Sequence, residues 1–338
     1  MLSVEFENIL EKYKKHKLDS LKVIELLKSD IVGGDEFSEF GYTGLDTKKF
    51  ASLNDCGTQL NFVRVARKGE RLYRLKAANF CRQRVCPMCQ FRKSEKQFAQ
   101  TLEVVQELEQ NGYRFLHLVL TIPNCDTPQE LLQSVQILYK GFSTFYMYNE
   151  IRSAFKGVLR CLEVSYNYDN DTYHPHLHCL VCVRKSYFND PKRYIKYDKM
   201  RYLWTNAIKK VLTICDYAPG SLRCFADSDA LLQIHIGALK DGDISGIAEV
   251  SKYCVKPLEL DDEARDSQNI RLLLTLWCTL KGTRFVQKYG VIKDKWRELY
   301  GNDCDDGSDG SDNDYETVEA ELWLNWDSKR LHYRSEKT

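Results

Sequence analysis

The chain has 338 residues, 43% of them hydrophobic and 29% charged, a balance that excludes disorder of the whole chain and suits one large domain or two modest ones. The formal charge of +1 hides an asymmetry, because residues 301–321 hold nine acidic side chains and no basic one. The remaining body sets 49 Lys and Arg against 39 acids, about +10, and such a basic body suits a nucleic-acid partner.

In chain order, residues 4–30 read as one or two helices, with Leu21, Ile24 and Leu27 at helical spacing. Their start lacks a signal-peptide core. Residues 34–55 are Gly-rich and polar and read as irregular. Strands at 61–66 and 71–76 follow, inside a segment with four Cys. A helix from about 91 to 110 puts Phe98, Leu102, Val105 and Leu108 on one face and stops at Asn111-Gly112. Residues 113–122 read as a strand. Thr127, Pro128 and Glu130 then supply a cap, a first-turn Pro and a capping-box acid for a helix reaching about 149.

Strands at 158–166 and 173–183 flank the turn-rich 167–172. A helix is expected at 199–212, a strand at 231–239, a helix at 244–256 stopped by Pro257, and a helical or mixed segment at 263–300. Residues 322–326 alternate and can return as a strand. The longest apolar runs, 115–122 and 179–183, are too short to cross a membrane, and a cytoplasmic protein is expected. Thirteen Cys, an odd number, then point to metal ligands and buried thiols, not to a disulfide framework. Mixed elements without strict alternation favour an α+β fold with an antiparallel sheet.

Three motifs carry chemistry. Residues 174–178 read His-Pro-His-Leu-His in a chain with seven His. On an extended strand His174, His176 and His178 share a face. A hairpin symmetric about Asn170-Asp171 sets Glu163 opposite His178 and Ser165 opposite His176, giving a site of two His and one carboxylate. A slip of one residue would turn Glu163 away. Such N/O ligation suits Mn²⁺ or Mg²⁺. The second motif is the helix after Gly246, where Glu249, Tyr253 and Lys256 fall on one face at i, i+4 and i+7. A phenol becomes a nucleophile only where a cation or metal stabilises the developing charge. The third is Cys81-x4-Cys86-Pro-Met-Cys89 with Cys56 upstream, four thiolates that can close a structural zinc site. A redox pair is the alternative, but no βαβ context surrounds it. The other nine Cys read as small buried hydrophobes. Arg82, Arg84, Arg92, Lys93 and Lys96 surround the cluster and can hold DNA phosphates.

Phe115-Leu-His-Leu-Val-Leu-Thr-Ile-Pro-Asn124, His174-Pro-His-Leu-His178 and Glu249-Val-Ser-Lys-Tyr253-Cys-Val-Lys256 together resemble the three ordered motifs of rolling-circle plasmid replication initiators, which are HUH endonucleases. Ala78-Asn-Phe-Cys81 with Cys86-Pro-Met-Cys89 is similar to the Cys-rich segment that precedes them. The resemblance covers residues 56–290. It implies that His176 and His178 are metal ligands and that Tyr253 attacks a phosphodiester and becomes joined to the 5′ phosphate. It further implies that Glu249 activates water for termination and that Lys256 lies near the scissile phosphate. Glu163 as third ligand rests on the register, and His174 reads as a support to the pair. His117 stands where a Thr is common and reads as structural or as a DNA contact.

The expected organisation is an N-terminal helical region at 1–55, a Cys-rich zinc subdomain and helix at 56–112, an HUH catalytic domain at 113–300, and an acidic linker with a C-terminal segment at 301–338. The expected partners are origin DNA, single-stranded or in a hairpin, and a host helicase and polymerase. A transposase or relaxase is the rival within the superfamily, though relaxases place the Tyr before the His motif. A non-enzymatic zinc-ribbon DNA-binding protein, or a hydrolase working through bound water, would be indifferent to loss of the Tyr253 hydroxyl.

Overall fold

The computed structural model describes residues 4–28, 47–67, 70–251, 263–301 and 317–335. Its strands, in chain order, are β1 (Gln59–Arg67), β2 (Glu70–Ala78), β3 (Tyr113–Thr121), β4 (Phe155–Asn167), β5 (Thr172–Arg184), β6 (Ile234–Ala238), β7 (Val286–Tyr289), β8 (Thr317–Asp327) and β9 (His332–Ser335). The helices are α1 (Val4–Lys28), α2 (Thr47–Asp55), α3 (Pro87–Gln110), α4 (Pro128–Tyr146), α5 (Asn149–Ala154), α6 (Tyr197–Leu212), α7 (Gly220–Ala226), α8 (Ile244–Ser251), α9 (Asp266–Cys278) and α10 (Gly290–Tyr300). The α+β class and the antiparallel sheets agree with the sequence reading. No described helix is long and apolar enough to cross a membrane.

The chain divides into two compact units. One takes residues 1–93, 259–278 and 304–338, and is built on a four-stranded sheet of order β2-β1-β8-β9. Helix α1 packs on it through aromatic rings: Phe6 stacks on Tyr73 at 4.1 Å, and Phe6 and Tyr13 meet the Phe62 ring edge-on at 5.2 and 5.5 Å. The returning strand foreseen at 322–326 is β8, and it pairs with β1 from Gln59↔Asn325 onward. Residues 47–55, expected to be irregular, form α2. Phe50 and Leu53 stand at helical spacing there, and Leu53 is fully buried.

The second unit takes residues 94–258 and 279–303, around a five-stranded antiparallel sheet of order β6-β3-β5-β4-β7. On one face Phe115, Leu159, Cys161, Leu180 and Cys182 pack with Val104, Val105 and Leu108 of α3, Ile247 and Val250 of α8, and Ile292 and Trp296 of α10. The residues alternating with these face α4: the buried Arg160 guanidinium lies 3.9 Å from the centre of the Tyr139 ring. Helix α4 begins as read, with Thr127 Oγ1 accepting from the Glu130 amide at 3.1 Å and Pro128 in the first turn.

The β4–β5 hairpin corrects one expectation. Asn167 pairs with Thr172, so four residues form the turn, and Glu163 opposes His176 where His178 was expected. The Asn167 side chain accepts from the amides of Asp169 and Asn170, and Asp171 turns the chain at φ 52°. That turn moves the register by two, which leaves every side chain on its expected face. The reading of nine buried thiols also needs revision. Cys125, Cys161, Cys179 and Cys182 are buried, but Cys224 on the short α7 is exposed, and Cys215, in the loop after α6, and Cys278, at the end of α9, are half-buried. Cys254 and Cys304 lie outside the described residues.

Gly290, at φ 55°, lets the start of α10 close on β4. A Cβ there would stand 2.1 Å from the Lys156 carbonyl oxygen, which is backbone and cannot swing aside. Gly290→Ala should therefore destabilise the chain by about 3 kcal/mol, read as a lower urea midpoint. An unchanged midpoint would mean that this approach is not needed.

Candidate metal centres on the His face and in the Cys cluster

Strand register gathers five of the seven His on one face of the five-stranded sheet. His174, His176 and His178 share a face of β5. Val119 of β3 opposes both His178 and His235, so His117, two residues before Val119, stands on that face too. Glu163 of β4 joins them through its pairing with His176. Its Oε2 lies 3.0 Å from His178 Nε2 and 3.7 Å from His176 Nε2, and all three side chains are only 10–12% exposed. One donor atom from each lies within 4.8 Å of the others. The structure thus brings together Glu163, His176 and His178. His174 stands apart from this group, its Nδ1 2.6 Å from Asn124 Oδ1.

The imidazoles are oriented from behind. His176 Nδ1 lies 3.0 Å from the His174 carbonyl oxygen. A carbonyl only accepts, so Nδ1 carries a proton and Nε2 faces Glu163, donating to the carboxylate when the ring is protonated and offering a lone pair to a cation when it is neutral. His178 Nδ1 lies 2.9 Å from His117 Nε2. His117 therefore backs a candidate donor, a role that neither sequence reading of it included. Burial pushes its pKa down to about 4, helped by the charges of His178 and His235 and opposed by Glu249. Burial alone would raise the Glu163 pKa, but hydrogen bonds from His176 and His178 and their charge outweigh it and hold the carboxyl well below the usual range.

The influence of Glu249 on His117 sets α8 beside this face, as do Ile247 and Val250 in the core beneath it. Tyr253 and Lys256 lie outside the described residues.

The second cluster is built from turns. Cys56 Sγ lies 3.6 Å from Cys89 Sγ and 3.5 Å from Cys86 Sγ, and Cys81 Sγ lies 3.6 Å from Cys89 Sγ. These distances are too long for disulfides. They match the edge of a tetrahedron, about 3.8 Å for sulfurs about 2.3 Å from a central ion. Four sulfurs so close compete for charge. Contact with Cys56 is the largest cause in each case: it holds the Cys86 thiol far below its ordinary range and pushes Cys81 and Cys89 up. Backbone amides support the sulfurs, with Cys81 N–H donating to Cys56 Sγ at 3.3 Å and Arg82 N–H to Cys89 Sγ at 3.2 Å. Arg82 adopts φ 58° to aim that amide. Among the basic residues expected to hold phosphates, Arg92 lies over the Tyr13 ring at 6.0 Å.

A family model described as "Replication protein" (Rep_1) matches residues 72–334. The chain belongs to this replication-protein family. The matched region of this replication protein contains the His face, α8 and three of the four clustered Cys, and it starts after Cys56. Curated relatives agree. A protein named "Protein rep" from Streptococcus pneumoniae serotype 2 is 29% identical over 331 residues, covering 96% of this chain and 94% of the relative. Others of that name are 30% identical in Lactiplantibacillus plantarum, covering 86% and 89%, and 31% identical in a Bacillus species, covering 77% and 83%. No solved structure matches. Membership agrees with the resemblance drawn from the three motifs.

Lys17 of α1, 1% exposed, donates to the carbonyls of Asn54 at 2.9 Å and Cys56 at 2.8 Å. Burial lowers its pKa, and the neighbouring Cys56 and Cys86 sulfurs oppose that. Lys17→Met keeps the apolar stem but strips two buried carbonyls of their donor. It should cost about 1–3 kcal/mol, measured by urea unfolding followed through tryptophan fluorescence. A variant as stable as the parent would show that those carbonyls find another donor.

Proposed function

We propose that this replication protein is a rolling-circle plasmid initiator that nicks one strand of origin DNA through a covalent phosphotyrosine. What supports the reading is one juxtaposition: Glu163, His176 and His178 converge on the sheet face beside which α8 carries Glu249.

Glu163, His176 and His178 would hold a divalent cation, Mn²⁺ or Mg²⁺. The donor set fits, since a carboxylate oxygen and two Nε2 lone pairs meet in a mostly buried site. When bound, the cation supplies Lewis-acid polarisation of the scissile phosphodiester. The Tyr253 oxygen attacks phosphorus, the Oη–P bond forms and the P–O3′ bond breaks. The freed 3′ hydroxyl primes synthesis, and the tyrosyl ester conserves the bond energy for rejoining. Lys256 balances charge on the phosphate. At termination Glu249 takes a proton from water, which attacks phosphorus and releases Tyr253. A carboxylate in that role leaves no second covalent adduct on the protein.

Cys56, Cys81, Cys86 and Cys89 would hold a structural Zn²⁺, for which four clustered sulfurs at tetrahedral spacing are the fitting donor set. The partners in this reading are origin DNA, single-stranded or in a hairpin, with a host helicase and polymerase, and the place of action is the cytoplasm.

The deciding experiment incubates the protein with single-stranded origin DNA and Mn²⁺, followed by mass spectrometry for a nucleotide on Tyr253. Tyr253→Phe should lower nicking by at least about 10³-fold while origin binding persists. Glu249→Ala should nick normally but release product about 10²-fold more slowly. A covalent adduct surviving in Tyr253→Phe would refute the assignment. For the Cys cluster, purified protein should carry about one zinc per chain by plasma mass spectrometry, and Cys89→Ser should carry almost none. Zinc retained by that variant would sink the four-thiolate site.

A further inference from the structure

Between Arg184 and Arg201, seven Lys or Arg face two acids, Asp190 and Asp198. This segment leaves β5, makes a short 3₁₀ turn at Lys185–Asn189 and enters α6. Two buried residues pin it down: Tyr187 is 3% exposed and Ile195 8%, and the Ile195 amide donates to Tyr187 Oη at 3.2 Å. The side chains around them project outward. Arg184, Lys185, Lys192 and Lys196 are exposed, and none forms an ion pair with a described residue. Among the described residues Arg193 pairs with Asp190 at 3.5 Å, and Lys199 with Glu150 at 3.4 Å.

The positive charge is concentrated. The Lys156 ammonium is held below its ordinary range by burial and then by the charges of Arg193 and Arg184. A surface that gathers like charges in this way favours an anionic partner. Among them stand Phe188 and Tyr194, 45% and 46% exposed, with ring centres 6.5 Å apart and both packed against Tyr187. Beside them Lys192, Arg193, Tyr194, Lys196 and Lys199 line an open cleft of about 250 Å³, together with Ile195 and Glu150.

Unrelieved cations and exposed rings call for a partner with phosphates and flat, unpaired ring faces. A duplex hides its ring faces in the stack, and an acidic peptide lacks the regular alternation of phosphate and ring. Single-stranded nucleic acid has both. We propose that the Arg184–Lys199 surface binds single-stranded DNA without sequence preference. It is a second contact, apart from the candidate nicking site: Arg184 lies six residues along β5 from His178, about 20 Å in extended chain. The proposal rests on the nicking reading, because nicking followed by displacement presents this protein with a free strand.

The test uses full-length protein and oligo(dT), which lacks any origin sequence, in fluorescence anisotropy from 50 to 200 mM salt with no divalent metal added. The paired substitutions K192Q and R193Q should reduce the slope of log K against log salt by about 1.4, two phosphates at about 0.7 each. The pair F188A and Y194A should weaken binding at least about tenfold and leave the slope unchanged. Both pairs should nick a short origin oligonucleotide at the parent rate. Ultraviolet cross-linking of unmodified protein to bromodeoxyuridine oligonucleotide should mark the peptide from 185 to 201. The inference fails if both pairs bind like the parent, if duplex of equal length binds as tightly, or if adducts form only elsewhere. The binding and cross-linking readouts do not depend on Tyr253, so failure of the nicking chemistry would register separately.

Discussion

In β5 the two-residue period of extended backbone, and the strand lying opposite, decide which side chains meet. His176 and His178 share a face because one residue separates them, and Glu163 joins them because β4 pairs in even register. An odd slip would send the carboxylate to the α4 side, where Arg160 and Tyr139 are packed. The turn that sets this register, four residues with Asp171 in the left-handed region, is therefore as much a part of the candidate metal centre as its donors.

Each of the two clusters is held in place by atoms that are not donors. On the sheet, a backbone carbonyl and His117 take the inner nitrogens of His176 and His178, so both rings aim the same atom at Glu163. Around the sulfurs, amides of Cys81 and Arg82 donate inward while Lys17 draws the carbonyls of Asn54 and Cys56 the other way. The first arrangement comes from a regular ladder and the second from turns. The difference follows from ligand number: three donors fit on adjacent strands, whereas four around one point need a chain that doubles back.

His176 with His178 and Cys86 with Cys89 were legible in the sequence because they depend on short spacings, two and three residues apart, whereas Glu163 was reached only through an assumed hairpin. The hairpin register was not legible, because the capping of the turn by Asn167 and the conformation of Asp171 are properties of the folded loop. His117 and His235 could be placed on a face by alternation but not beside His178, since the order β6-β3-β5-β4 is a tertiary fact. Helix α2 escaped notice because a Gly-rich stretch precedes it, although the spacing of Phe50 and Leu53 carried the signal. The thiol of Cys224 was misread because composition alone does not tell a surface helix from a core one.

The pairing of β1 with β8 has a consequence for biosynthesis. Gln59 meets Asn325, which a ribosome adds roughly 260 residues later, on the order of 15 to 50 seconds at bacterial elongation rates. For that interval β1 of the nascent chain has β2 on one side and an open edge on the other. The strand made first in this sheet must wait until roughly 260 further residues have been added, which leaves a prolonged window for chaperone capture or mispairing between neighbouring polysomal chains.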